Sequence, residues 1–167
     1  MNPTLDSLLE HNLKDIYSAE QQLMKALPDV ATAAYSEELE EVISSHLEQT
    51  KTHIERLDVA FEELGIGKNI DEECLAMKGL IDELKRTIGE FERSAVRDSA
   101  LIIGIQKIEH YEIASYGSLT ELADVLEHEK IGDLLELSLE EEEEADELLS
   151  DLAQDINDEA REMSMQH

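Results

Sequence analysis

Four long stretches of this chain carry apolar side chains every three or four residues, and this spacing constrains the fold more than any other feature. In the first stretch the stripe runs through Leu9, Leu13, Ile16, Leu23 and Leu27. Such spacing is typical of one face of an amphipathic α-helix. Only seven glycines and two prolines are available for turns among 167 residues. This composition favours long helices over sheets.

Breaks in the stripes predict where the helices begin and end. The predicted helices span about 3–34, 36–64, 72–87, 95–126 and 131–160. Asn2 and Pro3 are expected to start the first helix as its N-cap and first-turn residue. Pro28 lies inside the first stripe and is expected to kink that helix rather than end it. The polar residues after about 157 are expected to fray, and those near 128–130 to form a turn.

The lengths of the connections predict the topology. Short links join the first helix to the second and the last two to each other, which gives two antiparallel hairpins. About thirty residues, including the short predicted helix, separate the hairpins, so this segment can cross the bundle. One long crossover with up-down-down-up helices is the ferritin-like arrangement. We therefore expect an all-α, ferritin-like antiparallel four-helix bundle in a single domain, residues 1–167.

The charge of the chain limits its partners. It carries 42 acidic and 13 basic residues, a net charge of -29. Such an excess argues against nucleic acid or anionic membranes as partners, because both require basic side chains. Molar salt shortens the Debye length to roughly 3 Å and screens the self-repulsion, which favours a halophilic origin. Alternatively, the acidic surface attracts cations to a site; composition does not separate these two interpretations.

Two further features bear on location and redox chemistry. No apolar run approaches the length of a membrane span and no signal peptide is visible, so we expect a cytoplasmic protein. Cys74 is the only cysteine, which excludes an intramolecular disulfide or a thiolate cluster. We expect Cys74 to be a small, buried or partly buried residue of the crossover.

Polar residues interrupt the apolar stripes at one level of the predicted bundle. They are Glu20 in the first helix, His46, Gln49 and His53 in the second, Glu109 and Glu112 in the next long helix, and Glu142 and Asp146 in the last. Glu20 and Gln49 lie about fifteen residues either side of one turn, roughly 22 Å along the helices. Glu112 and Glu142 lie similarly about the other turn. Adding about 92 to a residue number in the first hairpin gives its counterpart in the second: Glu20 corresponds to Glu112, Gln49 to Glu142 and His53 to Asp146. This correspondence predicts a pseudo-two-fold axis relating the two hairpins.

Carboxylates and imidazoles clustered in a core are most simply stabilised by divalent metals. Oxygen-rich ligation without thiolate favours iron or manganese, as two ions, with zinc as an alternative. Taken singly, each glutamate could lie at a stripe's edge, and each histidine could be a hydrogen-bonded core residue. The agreement of four helices favours a metal site. Tyr17 and Tyr116 are expected to pack in the core, and His110 to point away.

Four segments resemble a known family. They are Asp15-Ile16-Tyr17-Ser18-Ala19-Glu20, His46-Leu47-Glu48-Gln49-Thr50, Glu109 to Gly117, and Leu139-Glu140-Glu141-Glu142 with Asp146. From about Leu8 to Ala153 the chain resembles the YciF/YciE-like ferritin-like proteins of bacteria and archaea, which are linked to stress responses. The resemblance implies a rubrerythrin-like bundle with a dimetal centre, usually in a homodimer, and no settled reaction. It implies candidate ligands at Glu20, His46, Glu109, Glu112, Glu142 and Asp146.

One position departs from the family pattern. The family has His-Leu-Glu-Glu-Thr where this chain has Gln49 at the fourth place. Either His53 compensates, or the site holds one metal well and the second weakly. The usual Glu-x-x-His spacing is also absent, and Glu142 with Asp146 would replace it on one helix face. The leading hypothesis is a dinuclear iron or manganese protein that reacts with peroxide or oxygen. The alternative is a metal-binding or structural stress protein without turnover.

Overall fold

The computed structural model describes residues 3–70 and 72–165, and these form five helices without a strand among them. In chain order they are α1 (Leu5–Ala33), α2 (Glu37–Leu64), α3 (Leu75–Glu90), α4 (Ala95–Val125) and α5 (Glu129–Ser164). The all-α prediction is confirmed. Among the described helices, none combines the length and apolar character needed to cross a membrane.

The first helix begins later than the sequence predicted. Thr4 is its N-cap: the Ser7 backbone N–H donates to the Thr4 hydroxyl, and the Thr4 N–H donates to the Ser7 hydroxyl, both at 3.1 Å. This reciprocal capping satisfies two end donors and starts the helix at Leu5. The prediction that Pro3 lies in the first turn is therefore wrong, and Asn2 lies outside the described residues. The helix continues through Pro28, as predicted.

Three other boundaries differ from prediction. The backbone N–H of Cys74 donates to the Ser18 hydroxyl at 3.0 Å, which ties the crossover to α1 just before α3 starts at residue 75 rather than 72. Helix α5 runs to Ser164 instead of fraying near 157, because Ile156 and Ala160 stay buried and extend its apolar stripe. The turn before α5 comes earlier than 128–130, with Glu127 in a left-handed conformation.

Side-chain contacts fix the direction of the helices. Lys130 at the start of α5 pairs with Glu63 at the end of α2, so these two helices are antiparallel. Asp98 near the start of α4 accepts hydrogen bonds from the backbone N–H groups of Tyr35 and Ser36, just after α1, at 2.8 and 2.7 Å. Helices α1 and α4 are therefore antiparallel as well. The up-down-down-up arrangement with one long crossover is the predicted ferritin-like bundle.

The core is aliphatic, as the composition predicted. Buried Leu, Ile, Val and Ala side chains form one continuous cluster through the bundle. Tyr17 packs edge-on against Phe61, with ring centroids 5.3 Å apart. Helix α3 packs against α1 and α4. Leu84 of α3 lies directly over Gly104 of α4, so closely that a Cβ added at Gly104 would collide with the Leu84 side chain. The crossover thus covers one side of the bundle.

Candidate metal centre

Four buried carboxylates and two histidines from all four bundle helices meet in the core. They form two sets of potential ligands, each with its ligand atoms within 4.8 Å of one another. One set is Glu20, His53, Glu112 and Glu142, and the other is His46, Glu109, Glu112 and Glu142. Glu112 and Glu142 belong to both sets. These two carboxylates could therefore contribute to metal binding in either set.

The ligand atoms of this cluster are poorly satisfied by the protein itself. All four carboxylate residues are 0% exposed. Seven of their oxygens and one histidine nitrogen have no hydrogen-bond partner within the described part of the chain: Glu20 Oε2, both carboxylate oxygens of Glu109, Glu112 and Glu142, and His46 Nε2. Buried polar atoms without partners are costly. Divalent cations would satisfy them and offset the clustered negative charge, so these residues fit a metal site.

His53 is oriented by three carboxylates, two beside Nδ1 and one beside Nε2. Its Nδ1 lies 3.0 Å from Glu20 Oε1 and 3.0 Å from Glu142 Oε1. Its Nε2 lies 2.8 Å from Glu141 Oε2, and Arg56 donates to both oxygens of Glu141 at 2.7 and 2.8 Å. Nδ1 therefore faces the carboxylates of the cluster, where a bound metal ion would take the place of a proton on this nitrogen. This carboxylate–histidine arrangement is the one that orients metal-binding imidazoles.

Arg56 keeps Glu141 available as that acceptor. Its hydrogen bonds hold the pKa of Glu141 below the usual range of a glutamate. The Arg56 guanidinium also donates to the Ser138 hydroxyl at 3.1 Å, which fixes it between α2 and α5. Arg56 and Glu141 were not predicted as site residues. Glu141 lies in a run of five consecutive glutamates, Glu140–Glu144, in which the sequence alone does not show which side chains face inward. The usable signal was a lone arginine three residues after His53.

His46 occupies the other half of the cluster. Its Nε2 lies 3.3 Å from Glu109 Oε1, 3.8 Å from Glu112 Oε2 and 3.9 Å from Glu142 Oε2. Its Nδ1 lies 3.4 Å from Gln49 Oε1. Gln49 is half-buried and belongs to neither ligand set. The structure thus brings His53 into the cluster and leaves Gln49 beside it, where the amide accepts a hydrogen bond from His46.

The charges in the cluster shift its protonation. Burial raises the pKa values of Glu109, Glu112 and Glu142 well above that of a free glutamate, and neighbouring carboxylates add to the shift. Burial lowers the pKa values of His46 and His53, but the surrounding carboxylates outweigh it, so both are raised. The metal-free cluster therefore retains its protons to higher pH than free glutamate and histidine side chains do. Metal binding would release them.

Tyr116 is buried, as predicted, but it does more than fill space. Its hydroxyl donates to Glu20 Oε1 at 2.5 Å, and its ring packs edge-on against His53 with centroids 5.6 Å apart. Burial beside the carboxylates raises its pKa well above that of a free tyrosine, so it remains a donor. Tyr116 thereby fixes Oε1 of Glu20, while Oε2 has no hydrogen-bond partner and is available as a ligand atom.

Asp146 is the predicted site residue that the structure places elsewhere. Its Oδ1 accepts a hydrogen bond from Gln106 at 3.2 Å and lies 3.3 Å from Nδ1 of the exposed His110. These contacts hold Asp146 at the α4–α5 surface, one helical turn beyond Glu142. The prediction that Glu142 and Asp146 act together is therefore wrong for this geometry. The ligand sets do not reproduce the predicted pseudo-two-fold relation: Glu112 belongs to both sets and Glu20 to one, and Gln49 and Asp146 belong to neither.

Cys74 lies outside this cluster. It is buried at the start of α3, as predicted, with Sγ 3.0 Å from the hydroxyl of Tyr111. That hydroxyl donates to Asp15 at 2.8 Å. Burial raises the pKa of the Cys74 thiol, so it stays protonated and packs as part of the crossover.

An up-down-down-up bundle that encloses shared carboxylates and histidines defines a ferritin-like protein. The chain belongs to the family described as domain of unknown function DUF892, whose profile matches residues 4–161. It is 45% identical to protein YciF of Escherichia coli K12 over 150 residues, 90% of each chain. The resemblance to YciF-like proteins is thus confirmed.

Solved structures agree with this assignment. The crystal structure of the E. coli stress protein YciF matches with a TM-score of 0.90 at 43% identity, over 95% of this chain and 99% of that one. YcfI of Rhodopseudomonas palustris, described as a candidate structural protein, matches with a TM-score of 0.84 at 43% identity, over 89% and 94%. A Xanthomonas campestris protein at 20% identity and a TM-score of 0.70 shares the fold.

Proposed function

We propose that this protein binds two iron or manganese ions in the bundle core and reacts with peroxide or dioxygen. The observation that supports it best is the pair of ligand sets sharing Glu112 and Glu142. Each set offers three carboxylates and one imidazole. Such oxygen-rich ligation without thiolate suits iron or manganese, and zinc is the alternative.

Two groups of residues would hold the ions in this proposal. Glu20 and His53 would hold one ion and His46 and Glu109 the other, and Glu112 and Glu142 would contribute to both positions. Two such ions, when bound, supply two electrons to an O–O bond. Tyr116 and Glu141 act on the ligands: the first holds one oxygen of Glu20, and the second fixes the ring of His53. The carboxylates that would hold the ions are all 0% exposed.

The test is to add iron(II) to metal-free protein in air and follow the near-ultraviolet absorption of iron(III) bound by carboxylates. Two iron per chain should be taken up, and hydrogen peroxide should be consumed faster than by the same iron free in buffer. The Glu112→Ala variant, which removes a shared ligand, is the control and should lose both effects. Protein that holds no iron or manganese and gains none on incubation would contradict the proposal.

A non-catalytic metal-binding or structural stress protein is the second candidate. It is supported by Gln49, a neutral amide where the family pattern has a carboxylate, and by the R. palustris relative described as structural. In that case about one equivalent of metal would bind and peroxide would not be consumed. Full loading with peroxide consumption would exclude it.

We extend the proposal to the setting of the protein. The E. coli relative is described as a stress protein, and a stress-related role in the cytoplasm, as a homodimer, is consistent with the family. Light scattering on the eluted protein tests the dimer. The net charge of -29 supports a halophilic origin, and a thermal midpoint that does not rise in molar salt would exclude it.

A further inference from the structure

A cavity of about 130 Å³ lies between α2 and α5 and ends at the candidate metal centre. At its inner end are His46 and Glu109, both buried. Ser45 and Leu148 line its outer part and are exposed, Leu148 by 50%. The cavity therefore runs from the protein surface to one of the two ligand sets.

The walls of this cavity are mainly apolar. Ile43, Ile105 and Leu149 line it and are buried, and Leu27 completes this apolar part. An apolar cavity of about 150 Å³ holds benzene or xenon, so this one admits molecules of up to about that size. Glu144 at the mouth and the strong negative charge of the chain disfavour anions. Small uncharged molecules are the class that fits.

The cavity reaches one of the two ligand sets but not the other. His46 and Glu109 line it, whereas Glu20 and His53 do not. On the other side, Glu141 and Arg56 cover His53, and Tyr116 contacts Glu20. Both Glu20 and His53 are 0% exposed. Gln49 lines the cavity and bonds to His46, so the departure from the family pattern lies in the wall of this route.

We infer that the cavity between α2 and α5 is the entry route and binding site for a small uncharged substrate, which meets the centre at the His46–Glu109 position only. This inference rests on the proposed dimetal function and adds the route of entry and the position of approach. On this inference the substrate does not reach the Glu20–His53 position, where Tyr116 holds Glu20 and Glu141 holds His53.

The variant that tests it is Ala145→Leu, because Ala145 is a half-buried wall residue on α5. Ala153→Leu is the matched control, since Ala153 is also half-buried on α5 but lies outside the cavity. Leu148→Ala widens the mouth and serves if Ala145→Leu fails to fold. Crystals of metal-free protein under xenon pressure should show xenon in the cavity of the parent and of Ala153→Leu, but not of Ala145→Leu.

Iron(II)-loaded protein with nitric oxide as the probe tests the position of approach. The parent should bind about one nitric oxide per pair of irons. Ala145→Leu should slow this binding at least ten-fold, Leu148→Ala should speed it, and Ala153→Leu should leave it unchanged. All variants should hold the same amount of iron. Two nitric oxide molecules per pair, rates indifferent to these variants, or a xenon-free cavity in the parent would overturn the inference. Failure to bind iron would instead refute the proposed function, while the xenon result would still report on the cavity.

Discussion

His46 and His53 lie seven residues apart on α2, and each belongs to a different ligand set of one carboxylate cluster. Seven residues are about two helical turns, roughly 10.5 Å along the axis. Both rings therefore lie on the same helix face, and they approach the shared Glu112 and Glu142 from opposite ends. One helix thus supplies an imidazole to each of two positions.

Loss of either histidine should remove one metal. We expect His46→Ala and His53→Ala each to lower the bound metal from two ions per chain to about one, because each removes the single imidazole of one set. Elemental analysis after loading and desalting measures this. His110→Ala is the control, because His110 is exposed at the surface, and it should retain two ions. Complete loss of metal from both variants would show that the two positions do not load independently.

Replacing a shared carboxylate should separate metal binding from stability. Glu112→Gln should lose both ions, since Glu112 belongs to both sets. The same change should stabilise the metal-free protein by about 1–2 kcal/mol near pH 8, because it removes a buried carboxylate whose pKa is raised by burial and by its neighbours. Chemical denaturation of both metal-free proteins measures the difference. A destabilised metal-free variant would contradict this picture of the cluster.

Stability of the metal-free protein should fall as pH rises. The pKa values of Glu109, Glu112 and Glu142 are raised in the folded state, so that state binds more protons than the unfolded chain above about pH 4.5. At low pH these carboxyl groups are protonated in both states. As pH rises from about 4.5 through the folded pKa values, ionising the buried groups lowers the free energy of unfolding. His46 and His53, also raised, act in the same direction: their stabilisation is present below about pH 6.5 and is lost above it.

Thermal midpoints between pH 5 and 9 in 1 M salt measure this effect, because molar salt screens the surface charges. We expect the midpoint of the metal-free protein to fall steadily and that of the metal-loaded protein to fall much less. The Glu112→Gln variant should show a shallower slope than the parent. A midpoint of the metal-free protein that rises over this range would contradict the predicted protonation of the cluster.

Gln49 should tune the metal next to His46 without binding it. Gln49→Glu should strengthen binding at that position several-fold, because a carboxylate accepting from His46 Nδ1 makes the imidazole a better ligand. Gln49→Ala should weaken it by about ten-fold. Titration of metal-free protein with manganese resolves the two affinities. Equal affinities in Gln49→Glu, Gln49→Ala and the parent would mean that this contact has no role.

Asp98 should stabilise the junction of α1 and α2. Asp98→Ala removes the acceptor of the Tyr35 and Ser36 N–H groups and should cost about 2–4 kcal/mol of unfolding free energy. Asp98→Asn keeps one acceptor and should cost less. Asp151→Ala, at an exposed position of α5, is the control. Urea denaturation measures all three, and a loss for Asp98→Ala no larger than that of the control would contradict the role.

Much of the bundle could be predicted from the sequence, because the periodic stripes and the lengths of the connections report directly on helices and their order. The helix ends were less accessible: the start of α1 depends on the Thr4–Ser7 contact, and the start of α3 on a hydrogen bond to Ser18. Asp98 gave no local signal, since its partners lie 62 and 63 residues away.

The sequence predicted the level of the candidate site along the bundle, but not which way every side chain at that level points. Glu20, Glu109, Glu112 and Glu142 meet as expected because burial on a stripe constrains where a side chain points. Asp146 follows Glu142 by four residues, yet contacts from Gln106 hold it at the surface. Glu141 showed the opposite: it lay in an acidic run and turned inward through Arg56. Contacts between distant helices decide such cases, and a single sequence does not contain them.

The central claim is that the bundle core holds two metal ions at positions sharing Glu112 and Glu142. Anomalous diffraction at the iron and manganese edges, from crystals of protein loaded with each metal, tests it most directly. The account predicts two peaks, one beside His46 and Glu109 and one beside Glu20 and His53. No anomalous peak in the core after loading, or a single peak outside these two positions, would contradict the proposed metal centre.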